Sequence, residues 1–215
     1  MAMNIPVVNG WRNSEIETRL RMTNGFFYFE DGPFQCALMA RALVSMRVIR
    51  RTSREGFATT VEEAAAADSR MRLVINGSFY PSDPRGAVMP SSAPLFGNVF
   101  DRMAGIAIYG TKMEQAACLY LDNGKNPRWN FAIGEPPSDC TAGLGGLIPL
   151  IIGNVPVNDT NRRYAKAKQY GNGTRFGRLA VACDEKYLLV MLQPDGAKDG
   201  LAYDRLRDKL AGGQE

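Results

Sequence analysis

Residues Gly177–Gly196 read GRLAVACDEKYLLVMLQPDG. Two apolar runs flank the polar triplet Asp184-Glu185-Lys186, and the second run stops at Pro194-Asp195-Gly196. Runs of this length, rich in Val, Leu and Tyr and split by a short polar turn, spell a β-hairpin rather than a helix. The hairpin sets the reading for the whole chain, because most of the other apolar runs are just as short and are also bounded by glycine, proline or Asn-Gly.

Working outward, TAGLGGLIPLIIGNVPV (Thr141–Val157) reads as a glycine-rich loop leading into a strand. AACLYLDNGKN (Ala116–Asn126) reads as a strand ending in an Asn123-Gly124 turn, and GIAIYG (Gly105–Gly110) as another strand. RLVI (Arg72–Ile75) is expected as a strand after a short alanine-rich helix capped by Thr60 and Glu63. The stretch from Gln35 to Arg51 is ambiguous; its start is helix-like, and its end, Val44–Ile49, favours a strand. NGFFYFEDGPF (Asn24–Phe34) is an aromatic strand between two turns. Helices are expected near each end: one opened by the Ser14–Glu17 capping box, and one from about Tyr203 to Ala211 with Leu206 and Leu210 a turn apart. The proline-rich segments Pro81–Pro94 and Pro127–Pro137 are expected as surface loops. The fold class expected is α+β: one domain spanning residues 1–215, with a mixed, twisted β-sheet flanked by short helices.

Composition narrows the chemistry. The 215 residues carry a formal charge of +4, with both signs spread along the chain, and no basic stripe with interleaved aromatics. That pattern argues against nucleic acid and suits a small anionic ligand. No apolar run approaches the roughly 18 residues that span a bilayer, and the N-terminus lacks a basic segment followed by an apolar one. A cytoplasmic location is the resulting expectation. The four cysteines, Cys36, Cys118, Cys140 and Cys183, have no metal-finger spacing and read as buried free thiols.

The chain contains no histidine. This removes the Ser-His-Asp triad, the Cys-His pair and the His-based metal sites. Proton transfer by such a chain falls to Asp, Glu, Lys, Tyr or Cys, and carboxylates are the common choice when the substrate is a sugar acetal. The carboxylates Asp83, Asp122, Asp139, Asp195 and Asp199 are scattered and specify no metal, and no cofactor is assigned.

Four motifs stand in order: VINGSFY (Val74–Tyr80), GLGGLIPLIIGN (Gly143–Asn154), the hairpin from Gly177 to Gly196, and DGLAYDRLRDKLAGG (Asp199–Gly213). The series resembles the phosphodiester glycosidase family from about Thr60 to Gly213. The resemblance implies hydrolysis of the bond between a sugar's anomeric carbon and a phosphodiester oxygen. The substrate would be a sugar phosphodiester or a related sugar-phosphate or nucleotide-like glycoside. The leaving phosphate needs its charge held, which an arginine fork and backbone N–H groups do. The oxocarbenium-like centre needs a carboxylate.

On this reading Arg178, Asp195 and Asn76 form the catalytic set. Gly77, Ser78, Phe79, Tyr80, Arg85, Gly145 and Gly146 bind substrate. Plain turns and core aromatics account for the same residue types. A binding protein that sequesters a sugar phosphate or nucleotide without turnover is the alternative, and an interaction module with no small ligand is a third reading. The family pattern continues with a further strand ending in an acidic glycine-rich segment, whereas this sequence stops at Gly212-Gly213-Gln214-Glu215. The expectation is an open sheet edge, filled by self-association or by a partner segment.

Overall fold

The hairpin over residues 178–193 forms with its turn where the sequence puts it. In a computed structural model, which describes residues 13–45, 47–48, 66, 71–75, 98–109, 116–125, 127–153, 155–157, 178–193 and 203–211, the elements in chain order are as follows. Helix α1 is Asn13–Met22. The strands are β1 (Phe26–Asp31), β2 (Phe34–Ala40), β3 (Val99–Asp101), β4 (Ile106–Ile108), β5 (Ala117–Leu121) and β6 (Trp129–Ile133). They continue with β7 (Ala142–Leu147), β8 (Ile151–Ile152), β9 (Val155–Pro156), β10 (Arg178–Cys183) and β11 (Tyr187–Gln193). Helix α2 is Tyr203–Leu210. The class is α+β, dominated by strands with few short helices, and every ladder among the described residues is antiparallel.

The chain divides into two compact units, Met1–Ser45 with Ile148–Glu215, and Met46–Leu147. The first unit holds a sheet of order β1-β2-β11-β10. One face carries Phe27, Phe34, Cys36, Leu38, Ala180, Tyr187, Leu189 and Met191, clustered with Ile16 and Leu20 of α1 and Leu206 and Leu210 of α2. On the other face Phe26, Ala37, Met39, Leu188 and Val190 are also buried. Burial on both faces explains why β11 is a near-continuous apolar run instead of an alternating one.

Local chemistry holds these elements in place. Asn24 and Gly25 end α1 with positive φ (53° and 81°). The Gly25 N–H reaches back to the Leu20 carbonyl at 2.6 Å, a left-handed helix stop that asparagine and glycine accept at low cost. At the β10–β11 turn, Asp184 Oδ1 accepts the N–H groups of Lys186 at 2.7 Å and Tyr187 at 2.6 Å. Glu17 of α1 then accepts from Lys186 Nζ at 3.2 Å and from the Tyr187 hydroxyl at 3.3 Å.

The second unit holds a sheet of order β4-β3-β7-β5-β6. Its register sets Val99, Asp101, Ala142, Leu144, Leu119, Leu121, Trp129, Phe131 and Ile133 in phase on one face. In β7, Gly145 and Gly146 together oppose the single residue Cys118, since Ala117 pairs with Leu147 and Leu119 with Leu144. This is a β-bulge, and Gly146 takes the positive φ (74°) that it needs.

Several expectations need correction. The start of the ambiguous stretch, not its end, is the strand: β2 covers Phe34–Ala40, and residues 44, 45, 47 and 48 have no regular structure. Pairing of β2 with β1 on one side and β11 on the other outweighs the helix preference of Ala, Leu and Met. Residues 71–75 join no ladder, although Arg72–Ile75 has a strand's composition. The GLGGL stretch is strand, not loop, because the sheet accommodates its glycines as a bulge. The segment Pro127–Pro137 contains β6, and the β5–β6 connection is longer than a two-residue Asn-Gly turn. Asp122 organises that connection, accepting from Gly124 N at 3.3 Å, Arg128 N at 3.1 Å and Asn130 Nδ2 at 3.1 Å. Of the alanine-rich helix, Ala66 is helical and the rest lies outside the described residues.

Candidate functional site

The hairpin ends in a polar rung. Arg178 opens β10 and is the Cα partner of Gln193, the last residue of β11. Gln193 is wholly buried, at 0% exposure. It stands in phase with Tyr187, Leu189 and Met191, whose side chains belong to the core of the first unit. A fully buried amide at the end of an apolar strand is unusual, and such groups are held by hydrogen bonds. Pro194, Asp195 and Gly196 follow it in sequence. Arg178 therefore stands in the last rung before the Pro-Asp-Gly segment.

Of the other sequence-flagged residues, Asn76, Gly77, Ser78, Phe79, Tyr80, Arg85 and Asp195 lie outside the described residues. Gly145 and Gly146 lie in β7 of the second unit, whereas Arg178 belongs to the first.

Both glycines have a structural reason, Gly146 in its positive φ and Gly145 in its packing. The Gly145 N–H donates to the Asn98 carbonyl at 2.8 Å, and the Asn98 N–H donates to Glu135 Oε2 at 2.7 Å. A Cβ on Gly145 would fall 2.9 Å from Glu135 Oε2 and 3.0 Å from Asn98 N. The side-chain-free residue thus admits a close approach of two backbones and a carboxylate.

Two polar groups that the sequence reading did not single out as site residues shape the second unit. Asp101, 1% exposed, sits on the apolar face. Its Oδ2 accepts from Arg47 Nε and Val48 N, each at 3.0 Å, and its Oδ1 accepts from Ala104 N at 3.0 Å. So supplied, this carboxylate fastens the 47–48 segment and the turn after β3, and it is poorly placed to act as a free base. Arg102 donates through Nε to the Cys140 carbonyl at 2.8 Å and through its guanidinium to the Ser138 carbonyl. It pins the loop that precedes β7. The sequence offered no periodic signal for either role, since both partners are distant in the chain.

All four cysteines are free thiols. Burial pushes Cys118 up to about 11, with the negative charges of Glu135 and Cys140 adding to the effect. Burial also raises Cys140 and Cys183. Thiols raised in this way are poor nucleophiles at neutral pH. Among the described residues, no group of three or more His, Cys, Asp or Glu side chains is arranged to hold a metal ion. Among them also, no helix is long and apolar enough to cross a membrane. The sequence matches no known family model, and no curated protein matches it.

Proposed function

We propose that the chain binds a phosphate-bearing sugar at the Arg178 end of the β10–β11 hairpin and hydrolyses its glycosidic bond. The observation that supports this reading is the register itself: Arg178 pairs with Gln193, two residues before Asp195 in the chain. A guanidinium and a carboxylate are the two groups that the chemistry asks for, and Asp195 follows Gln193 by two positions in the chain. The guanidinium holds the departing phosphate by a bidentate fork. The carboxylate assists water, or attacks, at the anomeric carbon. Neither step calls for histidine, which the chain lacks. The order of motifs, which resembles that of phosphodiester glycosidases, supports the same substrate class.

The test is incubation with a panel of sugar phosphodiesters and nucleotide sugars, with released sugar and recovered ligand measured separately. Released sugar supports hydrolysis. Intact ligand recovered after denaturation instead supports a protein that sequesters the same chemistry without turnover. Absence of both released sugar and retained ligand across the whole panel would overturn the proposal.

A further inference from the structure

Among the described residues, strand β6 is an edge strand that nothing blunts. It pairs with β5 and, among the described residues, with no strand on its other side. Natural edges are usually protected by charge, proline, a bulge or shortness. Other edges among the described residues show such devices: β1 ends in Glu30-Asp31, β4 is three residues long, and β8 and β9 are two each. The β6 sequence WNFAI has no charge and no proline, and its ladder with β5 is regular from Trp129 to Ile133. Two of its apolar side chains stay in solvent, Phe131 at 38% and Ile133 at 51% exposure.

The hydrogen bonds fix which backbone groups face outward. The Gly134 N–H donates to the Ala116 carbonyl at 2.7 Å, and the Asp122 N–H to the Arg128 carbonyl at 3.1 Å. In an antiparallel ladder these bonded pairs alternate with unbonded ones. Residues 128, 130, 132 and 134 therefore direct their backbone groups to β5, and Trp129, Phe131 and Ile133 direct theirs away from the sheet.

We infer that β6 is the interface for a second copy of this chain, paired antiparallel about a two-fold axis at Phe131. In that register Phe131 meets Phe131 of the second copy, and Trp129 meets Ile133 of the second copy. All three outward residues are used, and each pair exchanges two N–H···O bonds. The sequence is self-complementary there: Phe131 against Phe131 is a favourable aromatic cross-strand pair, while Trp129, already buried in its own sheet, meets Ile133 through backbone bonds. Beyond the strand, Arg128 comes opposite Gly134, one position from Glu135, so opposite charges adjoin. The neighbouring two-fold registers are worse. Centring on Asn130 sets Ile133 against Pro127, which has no N–H to give. Centring on Ala132 sets Trp129 against Glu135. The interface is isologous and extends the five-stranded sheet of one copy into that of the other.

Sedimentation equilibrium of the full chain at micromolar concentration tests this. A dimer is expected. Phe131→Lys sets two like charges directly opposite each other and should weaken the dimer by about tenfold or more. Phe131→Pro removes only an outward N–H, so it should break the dimer while the β5 ladder stays, as circular dichroism would report. Phe131→Cys should form an intermolecular disulfide, because Cα atoms of a bonded antiparallel pair are about 5.5 Å apart. Ile133→Cys should not, since its two copies would be separated by about 13 Å of strand. A chain that remains monomeric at tens of micromolar, a dimer indifferent to both Phe131 substitutions, or cross-linking at 133 in place of 131 would each overturn the inference.

Discussion

Arg178 and Gln193 are Cα partners in the rung that ends the β10–β11 ladder, with the Gln193 side chain wholly buried. One register thus ties a cation and a buried amide to the segment that carries Asp195. The proposed chemistry depends on this arrangement.

If Arg178 grips a phosphate, its planar fork matters as much as its charge. Arg178→Lys keeps the charge and loses the fork, so kcat/KM or ligand affinity should fall by about tenfold or more. Thermal melting should show a folded protein. Full activity in the folded variant would remove Arg178 from the site.

The proposed reaction gives Asp195 the work at the anomeric carbon. Asp195→Asn should lower kcat by about a hundredfold or more, with ligand affinity retained within a few-fold. Steady-state turnover together with calorimetric binding separates the two effects. Unchanged turnover returns Asp195 to the role of a turn residue.

Asp101 and Arg47 form an unequal pair, the carboxylate buried at 1% and the guanidinium 44% exposed. Arg47→Ala should cost about 1 kcal/mol, as half-exposed ion pairs do. Asp101→Ala also strips the acceptor from Val48 N and Ala104 N, and it should cost about 3–5 kcal/mol. Urea denaturation of the two variants checks the asymmetry. Equal losses would mean that the backbone N–H groups find other acceptors.

Gly145 has no room for a methyl group, with Asn98 backbone atoms 3.0 and 3.1 Å from where a Cβ would stand. Gly145→Ala should destabilise the second unit by about 1–3 kcal/mol through forced backbone movement. Denaturant midpoints measure this. A neutral substitution would show that the edge of β7 yields more readily than its packing implies.

Cys118 titrates near 11, raised by burial, from an ordinary value of 9.0. Between those values the unfolded chain gives up a proton that the folded chain keeps, so stability falls as pH rises. The contribution is fully present below about pH 9 and is lost by about pH 11. Melting temperatures across that range should drop more steeply for the native chain than for Cys118→Ala. Parallel curves would assign the alkaline loss to other groups, such as Tyr187, which burial and Glu17 also raise.

The α+β class, the aromatic strand β1, the hairpin β10–β11 and both described helices were legible in the residues, because each is set by local pattern. Apolar periodicity, capping residues and turn chemistry act over a few positions. The same local reading missed β3 and β6 and put the strand of the Gln35–Arg51 stretch at its wrong end. Val99–Asp101 and Trp129–Ile133 become strands only because β7 and β5 lie beside them. Phe34–Ala40 becomes one because β1 and β11 enclose it. The roles of Asp101, Arg102 and Glu135 were equally invisible, since each meets partners more than 30 positions away in the chain. The resemblance of its motif nominated Arg178 as a ligand-gripping group. The ladder register decided that its strand partner is a buried glutamine, because the pairing of distant strands is settled by which faces they can bury together.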